Sequence, residues 1–127
     1  RYVADDFESN YVPHEFETVC RQYLIRENRA GRMAPPFEAI GSFAYDNPTT
    51  RTSGEFDVVG KAEDGYAFYE CKFWGRPVDK RTVLEELAQV EASGLDCFRY
   101  GFFSRSGFEG VSPREELVLY DLEDLFA

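Results

Sequence analysis

Two short stretches hold the residues best suited to chemistry. The first is Gly54-Glu55-Phe56-Asp57-Val58-Val59-Gly60, and the second is Phe68-Tyr69-Glu70-Cys71-Lys72-Phe73. Strand alternation puts Glu55 and Asp57 on one face and Phe56 and Val58 on the other. By the same rule Glu70 and Lys72 share a face, with Cys71 and Phe73 pointing oppositely. Between the stretches, Ala62-Glu63-Asp64-Gly65 carries an Asp-Gly turn signal, so they read as an antiparallel hairpin. Neighbouring strands lie about 4.8 Å apart, which lets Asp57 and Glu70 share one divalent ion. Carboxylates held this close raise each other's pKa unless a cation intervenes. Their hard oxygens suit Mg2+ or Mn2+. Such an ion lowers the pKa of a water and stabilises the leaving oxygen of a phosphodiester. Lys72 is a compact charge able to orient that water or to neutralise the phosphorane.

A blander reading competes. Charges alternating on a strand face are usually a solvated face with cross-strand ion pairs, and 30% of this chain is charged. Two details favour chemistry. The flanking Phe56, Val58, Val59, Tyr69 and Phe73 are strongly apolar, as in a central strand. A preceding helix also offers Glu17 at the border of its apolar stripe, where a carboxylate reaches the sheet.

The elements that must position these groups are legible. Pro13 opens a helical pattern in which Phe16, Cys20, Tyr23 and Leu24 recur at helical spacing with Val19 beside them; Gly31 and Pro35-Pro36 end it. Strands follow at about residues 37–45, 55–61 and 66–74, the first two separated by a turn-rich loop over 46–54. A second helix runs over about 79–93, with Asp79 as N-cap, Val83, Leu84, Leu87 and Val90 as its apolar stripe, and Gly94 as terminator. Strands over 97–104 and 117–120 and a short helical turn over 122–126 complete the order. Residues 1–12 read as a linker or docking arm, and 13–127 as one domain.

Composition sets bounds. The 127 residues fit one domain, and 43% hydrophobic content with 17% aromatics is enough for a core. A net charge of -10 argues against a non-specific nucleic-acid coat but does not rule out a nuclease whose acids bind metal. No run approaches the roughly 20 apolar residues of a membrane span, and the opening Arg1-Tyr2-Val3-Ala4-Asp5-Asp6 is no signal peptide. The missing initiator Met suggests a piece of a longer protein. Cys20, Cys71 and Cys97 form no C-x-x-C pair and read as reduced thiols of a cytoplasmic protein. His14, the one histidine, sits in the first helical turn, as a general base or as a structural group. Ser104 and Ser106 have no visible His-Asp partners. Gln89 faces the site or the surface. Tyr66, Phe68 and Trp74 stack on bases or fill the core, while Phe37, Phe43, Phe102 and Phe103 are assigned to the core. Arg51, Arg76, Lys80, Arg81 and Arg105 form a local basic rim or are simply solvated.

The α-β-β-β-α-β order, with an acid on the second strand and Glu-x-Lys on the third, resembles the PD-(D/E)XK nuclease superfamily, which includes restriction endonucleases, archaeal Holliday-junction resolvases and RecB-type nucleases. Asp57 matches the motif Asp, Glu70 the Asp/Glu and Lys72 the Lys; Glu17 matches the acid that some members add from the first helix. Phe56 stands where the motif has Pro. More closely, Phe16-Glu17, Gly54-Glu55-Phe56-Asp57-Val58-Val59, Tyr69-Glu70-Cys71-Lys72 and Phe103-Ser104-Arg105-Ser106-Gly107-Phe108 are together similar to the C-terminal domain of archaeal-type ATPases, a domain of unknown function (DUF 234), over about residues 11–125. The resemblance implies a restriction-endonuclease-like three-layer α/β fold with a mixed central sheet. It further implies hydrolysis of phosphodiesters, DNA first, with Mg2+ or Mn2+ held by Asp57, Glu70 and Glu17. Lys72 is then the catalytic lysine, assisted by Glu55 and Gln89. A P-loop ATPase module is expected upstream, since no G-x-x-x-x-G-K-[ST] occurs here, and a homodimer is expected if both strands are cut. The rival is a non-catalytic regulatory or interaction domain on the same fold.

Overall fold

A computed structural model describes residues 12–47 and 52–126; the side chains of residues 43, 45–47 and 52–55 lie outside that description. So do residues 1–11 of the arm proposed over 1–12, Arg51, and the side chains of Glu55 and Phe43.

The first helix, α1 (His14–Arg29), starts because Pro13 cannot continue a helix backwards; its carbonyl accepts the amides of Phe16 and Glu17. Glu15 and Glu17 in the first turn and Arg26 and Arg29 in the last complement the helix dipole. Phe16, Cys20 and Leu24 recur every fourth residue and are buried. The Asn28 amide clamps the chain after the helix: Nδ2 donates to the Phe37 carbonyl at 3.0 Å, and the Phe37 amide donates back to Oδ1 at 2.8 Å.

Three strands follow, β1 (Ala39–Asn47), β2 (Thr52–Ala62) and β3 (Gly65–Lys72). They pair antiparallel in sequence order. Much of the stretch expected as a loop over 46–54 is therefore strand. The hairpin between β2 and β3 turns at Glu63-Asp64, with Ala62 opposite Gly65. The glycine is there for a reason other than turn conformation. A Cβ on Gly65 would sit 2.9 Å from the Asp96 carbonyl, which accepts the neighbouring Tyr66 amide.

The chain then makes β4 (Val78–Asp79), α2 (Lys80–Ser93), β5 (Cys97–Ser104), β6 (Phe108–Glu109), β7 (Leu117–Tyr120) and α3 (Leu122–Phe126). Asp79 caps α2 by accepting the Thr82 amide at 2.9 Å, and Gly94 ends it in the left-handed region. The central sheet has the order β1-β2-β3-β5-β7, with β5 and β7 parallel to β3. The two-residue strands β4 and β6 form a separate small sheet, absent from the sequence reading because such short pairings carry no periodicity.

Apolar side chains cover both faces of the sheet. One cluster joins Phe16, Cys20 and Leu24 of α1 and Leu125 of α3 to Val58, Tyr69, Cys71 and Phe103. The other joins Val83 and Val90 of α2 to Phe56, Val59, Phe68, Tyr100 and Phe102. The architecture is thus a mixed α/β sandwich, with helices on both sides of a five-stranded mixed sheet.

Strict alternation fails at one place in β2. Gly41 pairs with Val59 and Phe43 with Phe56, so Ser42 alone stands opposite both Asp57 and Val58. This is a β-bulge, one extra residue on the β2 side. Phe56 and Val58, expected on one face, consequently join opposite clusters. The bulge falls on the first acid of the candidate site.

Candidate functional site

The bulge re-aims Asp57 at the end of the β2–β3 hairpin. Its Oδ2 accepts the Cys71 amide at 2.8 Å, which ties it to β3 beside Glu70. Burial pushes the Asp57 carboxyl up to about 6, and the nearby Glu17 and Glu86 carboxylates add to the rise; the Cys71 amide and Lys72 oppose it. Glu17, on α1, is half-buried and within electrostatic range of Asp57.

Glu70 is only 5% exposed, so the solvated-face reading fails for this residue. Its Oε2 is buried with no hydrogen-bond partner among the described residues. Burial raises its pKa well above the usual carboxylate range, and the adjoining Asp57 and Glu86 carboxylates push the same way. Asp57 and Glu70 are close enough to share a hydrogen bond, which protonation of one of them allows.

Lys72 shares its face with Glu70, as alternation requires, but bonds to neither Glu70 nor Asp57. Its Nζ donates to Oε2 of Glu86 on α2 at 2.6 Å. Burial alone would lower the Lys72 pKa; the charge and hydrogen bond of Glu86, helped by Glu70 and Asp57, outweigh it and hold the ammonium above its usual value. The same Nζ lies 5.3 Å from the centroid of the Trp74 ring, on which the Arg76 guanidinium stacks at 4.0 Å.

The ends of β3 and β5 are bound together here. The Arg105 amide donates to the Lys72 carbonyl at 2.9 Å, and Ser106 Oγ donates to the Trp74 carbonyl at 2.6 Å. Ser104 Oγ donates to the Gly107 carbonyl at 2.7 Å. Both serines are therefore scaffolding for the strand ends. Arg105 stacks on Phe73 at 4.6 Å, on the side of the sheet where Phe73 meets Phe16 of α1. Phe68 and Trp74 are buried, which makes them core residues rather than exposed stacking platforms.

Two residues of this cluster escaped the sequence reading. Glu86 lies three residues after Val83 and four before Val90, inside the stripe that faces the sheet. A carboxylate in an apolar stripe was the available signal. Leu84, assigned to that stripe, is instead 55% exposed. Tyr100 of β5 packs on the α2 face with its hydroxyl buried and unpartnered; burial raises its pKa, followed by the charges of Glu70, Glu86 and Asp57. Nothing local marks Tyr100, because its neighbours come from other strands and from α2. Gln89, one turn beyond Glu86, is half-buried. His14 is exposed, with Nε2 at 3.5 Å from Thr18 Oγ1.

A family model, described as archaea bacterial proteins of unknown function, matches residues 1–86. The chain belongs to DUF 234. The matched span of this DUF 234 chain runs from before α1 into α2 and includes Glu17, Asp57, Glu70, Lys72 and Glu86. No curated protein and no solved structure matches it. No helix among its described residues is long and apolar enough to cross a membrane.

Whether these residues suit a divalent metal turns on the orphaned Glu70 oxygen. A buried carboxyl with an unpartnered oxygen beside a half-buried one is what a hard cation relieves. Among the described residues no three or more His, Cys, Asp or Glu gather into a complete metal cage. Mg2+ seldom needs one, since it keeps several waters and takes one or two carboxylates plus substrate phosphates. The donor set fits an open two-carboxylate site and not a closed structural one.

Proposed function

We propose that this DUF 234 domain is a metal-dependent nuclease on a restriction-endonuclease-like core, hydrolysing phosphodiester bonds of DNA. The observation that carries the reading is the buried, unpartnered Glu70 Oε2 beside Asp57. Asp57 and Glu70 would hold Mg2+ or Mn2+, with Glu17 approaching from α1. The ion, when bound, would supply an ionised water at neutral pH and charge stabilisation at the leaving oxygen. Asp57 is oriented for this by the Cys71 amide. Lys72 keeps its proton through the acids around it and presents a cation toward a scissile phosphate. Arg76 and Arg105, each stacked on a ring at the end of β3, would offer guanidinium forks to flanking phosphates. In the same reading an upstream ATPase module brings the substrate to an otherwise acidic domain.

The test is cleavage of a mixed pool of supercoiled, single-stranded and branched DNA, with Mn2+ and with EDTA, for wild type and Asp57→Ala. Cutting that needs metal and disappears in the variant supports the reading. No cutting together with no Mn2+ binding sinks it.

A second reading, a non-catalytic domain that docks onto an ATPase or another partner, draws on a different observation. Lys72 is already engaged by Glu86 at 2.6 Å. In that reading the charged cluster is structural, and Asp57→Ala leaves partner binding intact.

A further inference from the structure

We propose that Glu86 is a positioning residue that holds the Lys72 ammonium off the Asp57–Glu70 pair. The positioning stands on the geometry alone; its consequence for a cation rests on the reading of Asp57 and Glu70 given above. Among the described residues, Glu86, Glu70 and Asp57 are in electrostatic reach of Lys72. Among the described residues its ion pair is with Glu86, the acid that comes from another layer of the fold. Glu86 is carried to this place by the stripe of α2, between Val83 and Val90, which are packed on the sheet. The Trp74 ring 5.3 Å from Nζ limits the ammonium from a second side. The side chains of the pair are 13% and 16% exposed, so water competes weakly for either charge.

The choice of partner has a chemical consequence. An ammonium seated between Asp57 and Glu70 would neutralise them and exclude a divalent ion by like charge. Seated on Glu86, it leaves Glu70 Oε2 without a partner among the described residues, as observed. With Glu86 neutralised, Asp57 and Glu70 are still within reach of Lys72. Glu86 thus preserves an open anionic pair at a place where the sequence itself supplies a competing cation two residues away.

Two measurements test this. The crystal structure of metal-free Glu86→Gln should show Lys72 Nζ at hydrogen-bond distance from Asp57 or Glu70. An ammonium that stays in place, or turns to solvent, overturns the proposal. Mn2+ affinity, read from the electron paramagnetic resonance of the free ion, should fall at least tenfold in Glu86→Gln, the scale of lost outer-shell partners at metal sites. Removing a negative charge would by itself weaken binding, so the cycle is completed with Lys72→Met. In that background Glu86→Gln should change affinity by less than about threefold, because the competing cation is gone. An equal loss in both backgrounds means that Glu86 acts through its own charge, and the proposal fails. Glu86→Ala repeats both measurements if the glutamine variant does not fold. Wild type that binds no Mn2+ ends the cation reading, while the crystal structure still decides where Glu86 holds Lys72.

Discussion

Two adjacent glutamates of α2 each hold a cation, and the two pairs differ in almost everything else. Glu85 meets Arg81 one turn back on the same helix, at 3.2 Å, with side chains 65% and 87% exposed. Glu86 meets Lys72 from the central strand, at 2.6 Å and largely shielded. The first pair lies in water, pays side-chain entropy for a screened attraction, and holds nothing beyond itself. The second links two layers of the fold and stands within electrostatic range of Asp57 and Glu70. The helix rotates by about 100° between successive residues, so one step along the chain moves a carboxylate from the solvent to the sheet. The comparison teaches that a count of ion pairs says little here; what each charge faces after folding decides its role.

The strongest way to break the contrast is Lys72→Met. It strips the only cation paired to Glu86 among the described residues and leaves three carboxylates together. We expect a loss of about 2–4 kcal/mol in urea unfolding at pH 7, since removing one partner leaves an uncompensated, poorly solvated charge. The loss should shrink at acid pH, where protonated carboxyls no longer need the ammonium.

Next in size is the pH dependence of the metal-free protein. Asp57 has a native pKa of about 6 against an ordinary 3.8, so the folded state holds its proton more tightly than the unfolded chain. Its contribution is full below pH 3.8 and is lost as pH rises through about 6. Glu70 is shifted in the same direction. We expect stability to decline by on the order of 1–3 kcal/mol from acid to neutral pH, as a rise from 3.8 to about 6 implies. Asp57→Asn should flatten that decline, as should Glu70→Gln. A variant that keeps the full slope would show that its residue is not responsible. With Mn2+ present, the slope should weaken in wild type but not in either variant, if the ion is held there.

The smallest effect is expected from Arg81→Ala, under about 0.5 kcal/mol at pH 7 and abolished by salt. Thermal unfolding at low and high ionic strength measures it directly. A loss matching that of Lys72→Met would refute the contrast between the two pairs.

Much of this was written locally in the chain. The four-residue recurrence of Phe16, Cys20 and Leu24 located α1, Asp79 and Gly94 bounded α2, and alternation placed Glu70 and Lys72 on one face of β3. These features depend on near neighbours, whose spacing is fixed by helix and strand geometry. Alternation misled at Phe56 and Val58, because a bulge depends on the register with β1 and has no signature in β2 alone. The Asp-Gly signal found the right hairpin for the wrong reason, since the need for Gly65 comes from the distant Asp96 carbonyl.

The sequence by itself determined the three helices and the existence of the five strands of the central sheet, the pairing of the β2–β3 hairpin and the chemical types gathered near its end. Only the tertiary structure decided which acid Lys72 takes, that Glu70 loses its solvent, and that Glu86 and Tyr100 join the cluster. The reason is physical. Hydrogen-bond periodicity acts over a few residues and can be read along the chain. Desolvation and charge–charge contact depend on what packs across the sheet, and those partners come from elements that only folding brings together.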